Sequence, residues 1–127
     1  MTTDTAGRTT VARAIGATTA ASGLGLVVAP RTALRLMGAP TPDPAPLLYR
    51  VVGMFMTVSG GLLLDGAEHR VVLRWSLAQK SGAVAGVGLG VLRGDYRKRA
   101  LLVASFDAVS AVALARMLAS PRPEAGR

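Results

Sequence analysis

The stretch Ala100–Ala119, ALLVASFDAVSAVALARMLA, decides the fold. Its 20 residues are nearly all Ala, Val, Leu, Phe or Met, long enough to cross a bilayer core as a helix. Asp107 lies near its middle. At 100° per residue Asp107 shares a face with Ala100, Ala104, Ala108, Ala111 and Ala115. Small residues suit a helix-packing side, so the carboxylate is expected to turn away from lipid. A charge inside a bilayer is costly and marks a candidate functional site.

Three further apolar stretches precede it: Val11–Ala29, Leu47–Leu64 and Val71–Leu92. The chain therefore reads as all-α, a four-transmembrane-helix bundle. It forms one membrane domain over residues 11–119, after a polar tail at 1–10 and before a disordered tail at 120–127. Arg31–Met37, RTALRLM, is short, basic and amphipathic, and is predicted to lie in the interface plane as a helix after the first span. Gly38 stops it, and Pro40, Pro42, Pro44 and Pro46 make a stiff connector that belongs in water or headgroups.

Each span carries its own signal. In the first, Arg13, Thr18, Thr19 and Ser22 dilute the apolar run. A signal peptide is the rival interpretation, but Pro30 after Ala29 suits cleavage poorly. Thr18, Ser22 and Gly25 make a small, polar stripe suited to helix packing. In the second, Arg50, Gly53, Thr57 and Gly61 share a face. In the third, Arg74 and Trp75 are expected as interfacial anchors. Gly82, Gly86 and Gly90 form a GxxxGxxxG run that could pack a second copy or a larger membrane partner. Lys80 points away from those glycines, so it either faces the bundle centre or snorkels toward Arg74 and Trp75.

Composition excludes several chemistries. The net charge is +8, but only 4% of residues are aromatic and the basic residues flank apolar spans. They are placed to meet anionic headgroups, and nucleic acid is not expected. There is no cysteine and a single histidine, His69, in a loop. Thiol catalysis, metal sites and haem ligation therefore lack ligands, and no cofactor is expected. Lys80 aside, seven positive residues fall on each side of a four-span arrangement, so charge sets no orientation. The Arg97–Arg99 cluster tilts the first and third loops toward the cytoplasm.

The candidate site is a triad of Arg50, Lys80 and Asp107, with Gln79, Thr57 and Ser110 as nearby ligand-binding groups. Arg50 and Asp107 both face small-residue stripes near one boundary and are the first-choice pair. Lys80 lies deeper, could reach Asp107 if the third and fourth spans turn their inner faces together, and completes the set. Two cations and one anion leave a spare positive charge, suited to an anionic or enolate-like group or to proton movement. The structural alternative is that buried ion pairs simply fix helix register.

VVAPRTALRLMGAP at 27–40, LYRVVGMFMTVSGGLLL at 48–64, a Lys-bearing third helix and an Asp-bearing fourth together resemble the small DoxX-like four-helix bacterial membrane proteins. The resemblance implies an integral membrane protein of accessory or redox-linked type. The missing cysteines and lone histidine argue against this chain holding a redox metal itself.

Three function classes follow for a multi-pass protein of the cell membrane. One is a site that binds, and cyclises or isomerises, a lipophilic small molecule by acid/base chemistry. The second is an accessory subunit of a larger membrane complex. The third is a small oligomeric, proton-coupled transporter.

Overall fold

A computed structural model describes residues 3–120, with side chains from residue 5. Five helices account for most of it, and no strand occurs among the described residues. Helix α1 spans Thr3–Val28, so residues 3–10 are helical and continuous with the first apolar stretch. Residues 121–127 of the expected disordered tail lie outside the described residues. Pro30 ends α1, because it offers no N–H and pushes Ala29 out of helical geometry, to φ −132° and ψ 60°. The same proline opens α2, Pro30–Met37, at a position where a missing N–H is harmless. Gly38 closes α2 at φ 73°, in the left-handed region.

Helix α3 covers Ala45–Asp65 and α4 covers Arg70–Arg93. Gly94, at φ 81°, terminates α4, and the amide of Asp95 donates to the Gly90 carbonyl at 2.8 Å. A 3-10 turn at Lys98–Ala100 then leads into α5, Leu101–Ala119.

The helices pack as two antiparallel pairs, α1 with α3 and α4 with α5. Glycine builds the first pair. A Cβ on Gly16 would sit 2.7 Å from the Gly60 carbonyl oxygen, and one on Gly23 would sit 2.6 Å from that of Gly53. The backbones touch there, so no larger residue fits. The packing faces differ from the expected ones. Thr18, Ser22, Gly25 and Gly61 are exposed, whereas Gly16, Thr19, Gly23, Gly53 and Gly60 are buried. On α1 the expected stripe lies about one residue, or 100°, around the helix from the face used, whereas on α3 Gly53 and Thr57 of the expected stripe do meet α1 and Gly60 takes the place of Gly61.

The pairs meet in an apolar plug of Ala12, Ile15, Leu63, Ala67, Leu73 and Leu114. Arg70 lies at that end and its Nη2 donates to the Leu118 carbonyl. The opposite end is held by polar contacts. The Arg97 amide donates to the Met37 carbonyl at 3.3 Å, Arg99 donates to the Arg35 carbonyl, and the Tyr49 and Tyr96 hydroxyls share a hydrogen bond.

The exterior is apolar. Phe55, Trp75, Leu92 and Leu102 expose between 73% and 86% of their surface. Several outward hydroxyls bond their own helix, as Thr18 does to the Ala14 carbonyl at 2.9 Å and Thr10 to the Ala6 carbonyl at 2.9 Å, and so need no water. Three helical segments, Thr5–Val28, Ala45–Asp65 and Lys98–Ala119, are long and apolar enough to cross a membrane. Helix α4 is as long, at 24 residues, but falls short in apolar content. Gln79 and Lys80 at its centre and Arg70, Arg74 and Arg93 near its ends account for the shortfall.

Candidate functional site

Inside an apolar exterior the interior is polar. Thr19, Ser76, Lys80, Asp107 and Ser110 are all buried. Two helical faces create most of this seam. On α4, Leu73, Ser76 and Lys80 follow helical spacing, and on α5, Ala104, Asp107, Ser110 and Leu114 do. Because α4 and α5 run antiparallel, Ser76 and Ser110 lie on the same side of the Lys80–Asp107 level. By register Thr19, one turn from Ile15, falls at the hydroxyl layer too. The hydroxyls thus separate the apolar plug from the charged pair.

Lys80 Nζ donates to Asp107 Oδ1 at 2.7 Å. The side chains are 1% and 8% exposed, so the pair is shut off from solvent. The Lys80 ammonium also sits 5.0 Å from the centroid of the Phe106 ring, within cation–π range. Lys80 lies ten residues past Arg70 and thirteen before Arg93, about 15 and 20 Å along the axis. It therefore faces the interior at mid-helix and does not snorkel. No buried side-chain nitrogen or oxygen among the described residues lacks a partner.

The expected triad is divided. Asp107 takes Lys80, not Arg50, as its partner. Arg50 is exposed and lines a groove with Val28, Arg31, Asp43 and Leu47 at the other end of α3. The reason is helix adjacency: α3 is paired with α1, so a residue near its start has no route to the inner face of α5. Without Arg50 the buried charges balance, and the spare positive charge that suited an anionic or enolate-like group is gone.

The other expected ligand-binding residues divide as well. Ser110 is buried one turn from Asp107. Gln79 is half-buried, beside Lys80 in sequence. Thr57 is half-buried in the α1–α3 contact, where its hydroxyl donates to the Gly53 carbonyl at 2.8 Å. It packs helices, and its hydroxyl is spent on its own helix rather than on the charged pair.

The glycine run of α4 is also divided. Gly82 and Gly86 are exposed with open space where a Cβ would go, whereas Gly90 is covered by the Tyr96 ring. Thr19, Ser76 and Phe106 were not foreseen as members of the site. The i−4 spacing of Ser76 from Lys80, and the position of Phe106 next to Asp107, were the available signals. Among the described residues no cluster of metal-ligating side chains forms.

Comparison with known protein families, with characterised proteins and with solved structures gives no match for this chain.

Proposed function

We propose that the chain is a four-span, multi-pass protein of the cell membrane, of the DoxX-like type, whose Lys80–Asp107 pair binds a polar group of a lipophilic small molecule and moves protons on it. The observation that carries this is the ion pair itself, fully buried and mid-helix between α4 and α5. Helix α4 serves as the fourth span: it lies along α5, and Asp107 neutralises its one central cation.

The chemistry needs no cofactor. Lys80 Nζ is a proton donor and the Asp107 carboxylate an acceptor, side by side in a site from which water is excluded. A ligand entering from the bilayer would insert an oxygen between them. The ammonium would protonate one position and the carboxylate would take a proton from another, so the molecule is isomerised or cyclised without net change in protons. Ser76 and Ser110 are placed to orient it.

The test is the set of small lipophilic molecules that co-purify with the protein from its native cells, read by mass spectrometry. Wild type should carry a species that the Lys80→Met/Asp107→Leu double variant lacks while keeping its helicity. An identical complement in both would remove the ligand role and leave the pair as a structural fastener.

A second reading, an accessory subunit, is favoured by one observation: Gly82 and Gly86 present an open small-residue face on α4. Under that reading Gly86→Leu abolishes function while the Lys80–Asp107 double variant retains it.

A further inference from the structure

The groove beneath the α1–α2 elbow gathers charge where the proline-rich connector enters α3. Its volume is about 380 Å³, and Val28, Arg31, Thr32, Asp43, Leu47 and Arg50 line it. Arg50 decides its character. It lies five residues past Ala45, about 8 Å into α3, on an outward surface where Leu47, Leu48, Val51 and Met54 are exposed. Among the described residues no acidic side chain pairs with it. The other cation, Arg31, already meets Asp43, with Nη2 3.3 Å from Oδ1. The groove therefore holds one uncompensated positive charge, bordered by apolar side chains.

An unpaired guanidinium at the edge of the hydrocarbon attracts an anionic headgroup. Its planar fork of N–H donors matches the oxygens of a phosphate, and the Thr32 hydroxyl adds a donor from the elbow. Val28 and Leu47 offer the apolar wall that a glycerol and acyl chain would follow. A lipid with one net negative charge offsets the single excess charge, whereas a zwitterionic headgroup does not.

We propose that this groove binds the phosphate group of an anionic phospholipid, with Arg50 as its principal ligand and Arg31 and Thr32 completing the site. The proposal rests on the membrane placement argued above and is independent of what Lys80 and Asp107 do.

Native mass spectrometry of the full chain in detergent, titrated with phosphatidylglycerol or phosphatidylcholine, tests it. Wild type should retain one phosphatidylglycerol in preference to phosphatidylcholine. Arg50→Gln should weaken that retention about tenfold, the loss of a charge-assisted contact. Asp43→Asn, which frees Arg31, should tighten it. Equal retention by wild type and Arg50→Gln, or equal retention of the two lipids by wild type, overturns the proposal. Displacement of the lipid by soluble glycerol phosphate would reassign the site to a free phosphate and overturn the lipid as occupant. Alkaline carbonate extraction of native membranes tests the placement separately. A chain released by carbonate defeats the membrane reading, while the Arg50 comparison in detergent reports on the groove alone.

Discussion

At the residue scale the central fact is an ion pair with almost no exposed surface. Breaking such a pair from one side leaves a buried charge without a partner, at a cost of about 3 kcal/mol. Asp107→Asn and Lys80→Met are each expected to destabilise the protein by that order, read as a fall in thermal midpoint in detergent. Replacing both with apolar residues of similar size is expected to restore most of it, since two apolar groups need no mutual compensation. A double variant as unstable as the singles would show that the surrounding hydroxyls require the charges. Asp107 was legible in the sequence because a short acidic side chain at mid-span has little freedom. Its partner was less so. Periodicity gives the angle of a residue around its own helix, not which helix stands opposite. Periodicity therefore leaves both Arg50 and Lys80 open to Asp107, and the pairing of α3 with α1 decides between them.

At the element scale the two glycine systems behave oppositely. The α1–α3 contact uses Gly16 with Gly60 and Gly23 with Gly53, glycines seven residues apart on both helices. A methyl group added at Gly60 would collide with backbone, which cannot turn aside as a side chain can. Gly60→Ala is expected to cost about 1–3 kcal/mol, as overpacking does elsewhere. Gly82→Ala meets open space. It is expected to leave the fold unchanged or to stabilise it by up to about 1 kcal/mol, as a helix-interior glycine replaced by alanine does. Thermal midpoints of the two variants in the same detergent check both. The GxxxGxxxG run is the more conspicuous pattern, yet within the chain only Gly90 is covered, and by an aromatic ring. Spacing showed that close packing was possible there. It could not show that the wider, heptad-spaced glycines of α1 and α3 were the ones used. Thr19, which the composition counts as a dilution of the first span, is buried on that seam instead.

At the scale of the whole molecule, the first long connector and the 94–100 loop share one end, joined by Arg97, Arg99 and the Tyr49–Tyr96 contact. The 66–69 turn lies at the other end, beside the apolar plug. The native chain has no cysteine, so single-cysteine variants report topology cleanly. Under the four-span placement, Thr41→Cys and Asp95→Cys should react with an impermeant thiol reagent from the same side of intact cells, and Glu68→Cys only from the other. Labelling of Thr41→Cys and Asp95→Cys from opposite sides would exclude four spans. The all-helical character and the helix-rich, apolar exterior were legible from hydropathy. The pairing of helices was not, because apolar run lengths carry no information about neighbours.

The shortfall in apolar content of α4 bears on how the chain is made. Under the four-span placement, α4 is a poor substrate for insertion alone, with Lys80 and Gln79 at its centre. Helix α5 follows within a few residues and brings the carboxylate that Lys80 needs. The two would then leave the translocation machinery as one hairpin, with Asp107 acting during synthesis as the counter-ion that lets a lysine enter lipid. Under the same placement helix α1, by contrast, would wait in the membrane for α3 through the whole length of α2 and the proline connector. On that placement the order of synthesis would assemble the glycine seam first and close the charged centre last.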